Sequence, residues 1–188
     1  MNFLLRYLYK KRAEYYASLV KSHITKNEKI LDIGAGSGFI SEILSKSAKI
    51  TLLDVKDYNQ TKLQLKIYNG EKIPFKYNNF DTALLLTVLH YVPDTEKFLK
   101  EVKRISSKII IIDDVYTTKF EKILVNLNDM VISNTVGIFA KFNFKSDREL
   151  KRIFHNLNLK LAVDIDSINF LGTAKQKLYV LEKNKRNF

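Results

Sequence analysis

The sequence has 188 residues, 46% of them hydrophobic, and a formal net charge of +12. This length and composition suit one folded domain with a substantial core and exclude an intrinsically disordered chain. The sequence contains no cysteine, which excludes disulfides, thiol catalysis and cysteine-ligated metal sites. Its 3 histidines lack the spacing of metal ligands, so we predict no metal site.

The N-terminal segment and the distribution of charge bear on location and partners. Basic residues interrupt the N-terminal apolar stretch too early for a signal peptide, and the longest apolar run, residues 83–89, is too short to span a bilayer. We therefore expect a cytoplasmic protein. The positive charge permits contact with nucleic acid or an anionic surface. Because basic residues are spread along the chain, with short clusters only at 10–12 and 183–186, we favour a solvated surface.

The first half of the chain predicts a helix and then strands around a second helix. Apolar residues at helical spacing predict an amphipathic helix over residues 2–24: Phe3, Tyr7, Leu8, Tyr15, Leu19 and Ile24. A strand over 29–33 ends at a glycine and precedes a helix over 37–46. Strands follow over 49–54 and 63–68, and the link between them, about eight residues, is too short for a full crossover helix.

The middle of the chain continues this alternation of strands and helices. A strand over 83–88 precedes a helix over 95–105 that begins after Asp94, and a strand over 108–113 follows. Helical spacing then predicts a helix over 120–131.

The C-terminal region predicts one helix and a pair of strands. Ser146 and Glu149 form a capping box at the start of a helix over 146–157. The apolar runs at 159–165 and 177–182 predict a hairpin pair. Near-continuous apolar strands that alternate with helices indicate a parallel sheet covered on both faces. We therefore predict an α/β fold: a Rossmann-like, doubly wound, mostly parallel seven-stranded sheet with a C-terminal antiparallel strand and an N-terminal helix.

The strongest chemical signal is the Gly-rich stretch ILDIGAGSGF at residues 30–39. A buried strand ends beside Asp32, and the three glycines after it let the main chain turn sharply and lie flat against a ligand. A dinucleotide-binding turn reads G-x-G-x-x-G, but Phe39 occupies the place of the third glycine. This departure disfavours NAD and favours a cofactor without a pyrophosphate.

Asp54, at the end of the second predicted strand, is the second signal. In doubly wound folds an acidic residue at this position accepts hydrogen bonds from the ribose hydroxyls of a ligand. Many strands end in Asp, but this one follows the Gly-rich turn by about 20 residues, as in nucleoside-binding folds. The pairing therefore predicts a ribose-containing cofactor.

Three segments together resemble the type 11 methyltransferase domain of the class I methyltransferases. They are the Gly-rich stretch, the segment NGEKIPF at 69–75 followed by NFD at 79–81, and LHYVPD at 89–94 followed by FLKEVKRI at 98–105. The resemblance covers residues 28–114. It implies an S-adenosylmethionine-dependent methyltransferase that binds its cofactor at the Gly-rich turn.

The resemblance assigns contacts with the cofactor's methionine and ribose to residues of the first two strands. It implies that Asp32 lies near the ammonium group and that Asp54 holds the ribose. Gly34, Ala35 and Gly36 then line the methionine and ribose portion.

The resemblance assigns the adenine and the methyl-donor end to residues further along the chain. Val55 would pack on the adenine, and Asn69, Gly70 and Glu71 would lie along its edge. The family usually has Asp where Asn69 stands, and Asn still accepts through its carbonyl oxygen. Thr87 would face the cofactor, since ligands of open α/β sheets lie outside the carboxyl ends of the strands.

Candidate catalytic residues follow the fourth and fifth strands. His90 lies where acceptor and cofactor would meet, and an imidazole titrates near neutrality, so it is the first candidate for a general base. The alternative is that His90 packs on the domain. Asp114, with Asp113, ends the fifth strand near the same cleft, and the alternative is that both are ordinary strand-end acids.

The predicted function follows from these parts of one domain, residues 1–188. We divide it into an N-terminal helical cap (1–27), a cofactor-binding core (28–114) and a substrate-side region (115–188) in which 119–144 would form a lid. The predicted acceptor is a small molecule or lipid-like. An RNA or protein methyltransferase that uses the basic surface, and a non-catalytic cofactor-binding protein, remain alternatives. The basic, apolar N-terminal helix also permits weak contact with a membrane surface.

Overall fold

The structure, a computed structural model, describes residues 3–118, 121–123, 125 and 142–184. Most of the helix predicted over 120–131 and most of the lid predicted over 119–144 therefore lie outside the described residues, and the described residues 121–123 and 125 are helical. None of the described helices combines the length and hydrophobicity that crossing a membrane requires.

Eight strands of the described residues form one sheet. They are β1 (Lys29–Ile33), β2 (Lys49–Asp54), β3 (Leu65–Ile67), β4 (Phe80–Leu86), β5 (Ser106–Tyr116), β6 (Lys145–Ser146), β7 (Leu159–Ile168) and β8 (Lys175–Lys183). The order across the sheet is β3-β2-β1-β4-β5-β8-β7, and the short β6 pairs with β5. β1 to β5 run parallel, whereas β8 runs antiparallel to both β5 and β7. The order confirms the predicted fold class, with β6 as an addition to the seven predicted strands.

Among the helices of the described residues, four pack on the two faces of this sheet. They are α1 (Phe3–Val20), α2 (Phe39–Leu44), α3 (Thr95–Ile105) and α4 (Asp147–Asn156), with 3-10 turns at Lys21–His23 and Leu89–Tyr91. α3 and α4 pack on one face and α1 and α2 on the other, each against alternate residues of the strands. Ile109 and Ile111 of β5 face α3, and Ile110 and Ile112 face α1. Burial of both faces explains why the strands are apolar throughout.

The face that α1 buries differs from the predicted one. The predicted apolar stripe begins at Phe3 and Tyr7, but these side chains are 87% and 52% exposed. The helix packs through its second half, where Ala13, Ala17 and Val20 are buried. The predicted stripe is therefore wrong for the first half of the predicted helix and confirmed for the second, where Tyr15, Leu19 and Ile24 pack against the core.

The link between β2 and β3 contains no helix, as its length predicted. The Asn59 side chain organises it: Oδ1 accepts from the Thr61 amide at 2.9 Å, and Nδ2 donates to the Leu63 carbonyl at 2.9 Å. A Cβ on Gly38 would lie 2.8 Å from Asn59 Oδ1, so the link packs directly against the Gly-rich turn.

Candidate cofactor and active site

The Gly-rich turn joins β1 to α2 in a tight path. The Gly34 amide donates to the Leu53 carbonyl at 2.8 Å, which ties the turn to β2. Gly34 has φ +73°, and a Cβ there would lie 2.6 Å from Val88 Cγ2. Because only glycine fits this approach, the turn lies against the segment that follows β4.

The Asp54 carboxylate reaches back from β2 to the Gly-rich turn. Its Oδ2 accepts from the Gly36 amide at 2.8 Å, and its Oδ1 accepts from the Val55 amide at 2.7 Å. Oδ1 also accepts from the Lys56 amide at 3.4 Å, so the acceptor capacity that remains for a ribose hydroxyl lies mainly at Oδ2. The structure thus brings the two strongest sequence signals together at one strand edge.

The segment predicted to meet the adenine forms a turn beside Val55. Asn69 Oδ1 accepts from the Glu71 amide at 3.1 Å, and Gly70 has φ +81°. A Cβ on Gly70 would lie 3.4 Å from Val55 Cγ1, and Val55 is 56% exposed. An exposed apolar side chain beside an open turn fits one face of a planar ring. The Asn69 oxygen already has one donor, so any bond to adenine would use its second lone pair.

Asp32 is buried beneath the turn. It is 3% exposed, and its Oδ2 accepts from the Ser41 hydroxyl of α2 at 2.7 Å. The pKa of Asp32 is raised to about 6. Burial is the largest cause of this rise, the Ser41 hydroxyl opposes it, and the nearby Asp54 carboxylate adds to it. A buried carboxylate with a raised pKa is favoured by a nearby cation, which is consistent with its predicted place near an ammonium group.

Thr87 follows β4 in a left-handed backbone conformation. Its φ is +60°, which is rare for a β-branched residue, and its amide donates to the Ile112 carbonyl at 2.7 Å. This conformation also explains why β4 ends at Leu86, earlier than predicted. The Thr87 hydroxyl accepts from Arg12 Nη2 at 2.8 Å, so α1 is tied to the same edge of the sheet.

His90 pairs with Asp113 in the interior. His90 Nδ1 lies 2.5 Å from Asp113 Oδ1, and each side chain is 3% exposed. A carboxylate can only accept, so Nδ1 carries the proton in this pair and Nε2 bears the lone pair of the neutral ring. The ring stacks on Phe144 with centroids 4.8 Å apart. His90 therefore has an orienting carboxylate and is also packed in the domain, which joins the two alternatives drawn from the sequence.

Asp114 lies next to this pair and is 8% exposed. His90, Asp113 and Asp114 line one cavity of about 10 Å³, with Leu89, Asn143 and Leu150. This volume holds at most about one water molecule, so the cavity is not an acceptor pocket. A wider, open depression of about 450 Å³ lies at the amino ends of β1 and β2, opposite the strand ends where ligands of this fold bind.

Comparison with known proteins finds a family whose model matches the segment that contains the residues predicted to contact the cofactor. Residues 31–108 match the family model of a methyltransferase domain. The chain is thus similar to a methyltransferase domain over this segment, from β1 to the start of β5. The match begins in β1 and includes the Gly-rich turn and Asp54, so the predicted resemblance is confirmed, with S-adenosylmethionine as the cofactor of this class.

Two relatives share part of the methyltransferase domain. Sterol 4-C-methyltransferase of Caenorhabditis elegans is 26% identical over 120 residues, which is 54% of this chain and 36% of that protein. The ubiquinone/menaquinone biosynthesis C-methyltransferase UbiE of Rickettsia bellii is 32% identical over 99 residues, which is 42% of this chain and 40% of that protein. The matches thus span about two fifths of the length of these relatives.

A solved structure with the same fold as the methyltransferase domain is geranyl diphosphate C-methyltransferase of Streptomyces coelicolor, in complex with S-adenosyl-L-homocysteine. Its TM-score is 0.71 at 11% identity, over 91% of this chain and 79% of that one. This likeness concerns the fold alone.

Two contacts beside the predicted site involve residues to which the sequence alone assigned no role, Arg12 and Gln176. Arg12 contacts Thr87 across 75 positions of sequence. Gln176 of β8 donates to the Tyr16 hydroxyl of α1 at 3.1 Å, across 160 positions. The sequence signal for these contacts was the basic and aromatic character of the helix predicted to cap the site. It did not show that Arg12 contacts Thr87 or that Tyr16 contacts Gln176.

Proposed function

We propose that the protein transfers a methyl group from S-adenosylmethionine to a small-molecule or lipid-like acceptor. The observation that carries the proposal is the hydrogen bond from the Gly36 amide to Asp54. It joins a glycine turn that has no side chain in the way to a buried carboxylate with acceptor capacity left over. An adenosyl ligand needs both features at one strand edge.

The residues around this bond fit the cofactor in three respects. The carboxylate of Asp54 accepts from ribose hydroxyls, Val55 and Gly70 offer an apolar surface to adenine, and Asp32 balances the ammonium charge. The positive φ at Gly34 and Gly36 keeps the main chain low beneath the ligand. These contacts bind and orient the cofactor, and none of them requires a metal ion.

The chemistry requires little from the protein besides alignment. The bound cofactor supplies a methyl carbon on a positively charged sulfur, and the sulfur retains the electron pair of the C–S bond that breaks. Alignment of acceptor and methyl group contributes up to about 7–11 kcal/mol in ideal cases. Where the acceptor atom must lose a proton, we assign that proton to His90 Nε2 by way of a water in the adjoining cavity, because the ring is buried and Asp113 orients it through Nδ1.

Two observations support an acceptor of the small or lipid-like class. The sterol and the quinone named for the two relatives described above are largely apolar, and geranyl diphosphate, named for the structural neighbour, joins an apolar isoprenoid chain to an anionic diphosphate. The first half of α1, which precedes Arg12, also leaves the apolar side chains of Phe3, Leu4 and Tyr7 exposed. A cytoplasmic location remains our expectation for such an enzyme.

Calorimetric titration of the purified protein with S-adenosylmethionine, S-adenosylhomocysteine and NAD tests the cofactor part of the proposal. We expect micromolar binding of both adenosyl ligands and no binding of NAD. Asp54→Asn should weaken adenosyl binding and Asp54→Ala should abolish it, because the ribose contacts are lost stepwise. Asp57→Ala is the matched control, since this exposed Asp lies on the same segment.

The contrary result is equally clear. If the folded protein, checked by its thermal unfolding, binds neither adenosyl ligand, the proposed function is wrong and the Gly-rich turn is structural only. If both bind, a screen of apolar acceptors, with RNA and protein substrates alongside, identifies the acceptor class by methyl transfer from labelled cofactor.

A further inference from the structure

Two contacts hold Arg12 at the carboxyl ends of the parallel strands, where the cofactor is proposed to bind. Its Nη2 donates to the Thr87 hydroxyl at 2.8 Å, and its guanidinium carbon lies 4.9 Å from the centroid of the Tyr16 ring. Tyr16 is itself 2% exposed and bonded to Gln176, so the ring is a fixed platform. Stacking on an aromatic ring and a hydroxyl contact together fix the plane of the guanidinium.

The charge of Arg12 has no carboxylate partner within the part of the chain that the structure describes. The acidic residues of that part form ion pairs with Lys11, Lys108, Lys151, Lys177 and other basic residues, but none with Arg12. A guanidinium has five N–H donors, of which the Thr87 hydroxyl engages one. A half-buried guanidinium with donors to spare beside a ligand edge is suited to an anionic group of a ligand.

The position of Arg12 relates it to the methionine end of the cofactor. Thr87 precedes Val88, the residue against which Gly34 packs, so Arg12 and the Gly-rich turn face the same space. β1 and β4 are neighbours with Asp32 opposite Leu84, three residues before Thr87. An α-amino acid carries one ammonium and one carboxylate group, and among the charged side chains at these strand ends Asp32 and Arg12 offer an acidic and a basic group to match them.

The left-handed conformation of Thr87 supports the same interpretation. A β-branched residue adopts φ +60° only where the surrounding structure enforces it, and such strained residues cluster at ligand sites. Here the strained residue presents its hydroxyl to Arg12 rather than to another part of the core.

We propose that Arg12 binds the α-carboxylate of S-adenosylmethionine, so that α1 forms one wall of the cofactor site. The inference rests on the proposed function. A planar guanidinium and a carboxylate form paired, parallel hydrogen bonds, which gives the contact both strength and direction. The same chemistry would suit an anionic group on the acceptor, and the experiment separates the two sources.

The test compares two ligands that differ in the amino-acid end. S-adenosylhomocysteine carries the carboxylate, whereas methylthioadenosine has the same nucleoside and thioether without it. Calorimetry with the full chain should show that Arg12→Met weakens S-adenosylhomocysteine binding by about 10- to 100-fold, as expected for hydrogen bonds to a charged group. Binding of methylthioadenosine should be unchanged, Arg12→Lys should lie between, and Lys11→Met, a change of the neighbouring exposed cation, should have no effect.

The outcomes that overturn the inference differ from the failure of the proposed function. Unchanged S-adenosylhomocysteine affinity in Arg12→Met means that Arg12 does not bind this carboxylate, and it then becomes a candidate for an anionic acceptor group. An equal loss for both ligands means that Arg12 only supports the fold of the site. If the unaltered protein binds neither ligand, the proposed function fails, whatever the variants do.

Discussion

The two halves of the sheet hold their polar residues in different ways. In the half from β3 to β4, the side chains at the predicted ribose and adenine positions bond to backbone amides of nearby turns: Asp54 bonds to Gly36 and Asn69 to Glu71. In the half around β5, β7 and β8, side chains bond to one another over long stretches of sequence. His90 and Asp113 are 23 positions apart, and Tyr16 and Gln176 are 160 positions apart. The predicted cofactor contacts between β3 and β4 thus rest on the main chain, and the contacts around β5, β7 and β8 form a network of side chains.

This difference predicts different sensitivities to mutation. A site made of main chain depends on local backbone conformation and on free space. Added atoms or an altered charge beneath it should therefore have large effects on stability. In a network of side chains the contacts are made in pairs. Once one partner has been removed, removal of the other should cost less than it does in the unaltered protein. Three measurements test this contrast, in order of expected effect.

Gly34→Ala should have the largest effect. Alanine must adopt φ +73° and place its Cβ 2.6 Å from Val88, so we expect the free energy of unfolding to fall by about 3–5 kcal/mol. Gly36→Ala is the matched control: φ is +52° but no atom lies within 4 Å, so only about 1–2 kcal/mol should be lost. Urea denaturation measures both, and equal losses would show that crowding against Val88 is unimportant.

Asp32→Asn should change stability in a pH-dependent way. The pKa of Asp32 is about 6 in the folded protein, above its ordinary value of 3.8, so the folded state binds more protons between these values and loses stability as the pH rises through them. Above the folded pKa, ionised Asp32 costs about 3 kcal/mol. Asn removes this cost, so the ligand-free variant should be more stable by up to about 3 kcal/mol at pH 8 and show no gain at pH 4.

The control for this prediction is Asp57→Asn, an exposed carboxylate on the segment after β2. Its stability should differ little from that of the unaltered protein at either pH. A gain for Asp32→Asn that is equal at pH 4 and pH 8 would contradict burial of the ionised carboxylate as its cause.

A double-mutant cycle at Tyr16 and Gln176 should give the smallest effect. Tyr16→Phe leaves the buried Gln176 amide without its hydroxyl partner, and we expect a loss of about 1 kcal/mol. In the Gln176→Met background the same change should be nearly neutral, which gives a coupling of about 1 kcal/mol. Tyr15→Phe, which removes an exposed bond to the Ile168 carbonyl, should not couple to Gln176. Zero coupling at Tyr16 would remove the contrast between the two halves.

The same contrast explains what could be predicted from the sequence. The bounds of β1, β2 and α3 agree with the prediction, and so does the capping box, in which the Ser146 hydroxyl and Glu149 exchange bonds with the backbone. These features depend on neighbouring residues and on the period of apolar positions. The closeness of Asp54 to the Gly-rich turn was predictable because parallel strands end at a common edge.

Other features depend on packing between distant segments and could not be predicted. The buried face of α1 is set by the alanines that touch the sheet, whereas larger apolar residues on the same helix remain exposed. The pairing of His90 with Asp113, rather than Asp114, depends on which strand residue faces inward at the end of β5. The contact of Arg12 with Thr87 requires both the docking of α1 and a left-handed residue after β4.

The place of β8 has a consequence for synthesis on the ribosome. β8 follows β7 in the chain but lies between β5 and β7 in the sheet. Until residues 175–183 emerge, β7 has no strand to join, and β5 presents an isoleucine-rich edge at Ile109–Ile112 that is a template for aggregation. A nascent chain that stalls before this point therefore lacks two strands rather than one, and chaperones would have to cover its open edge.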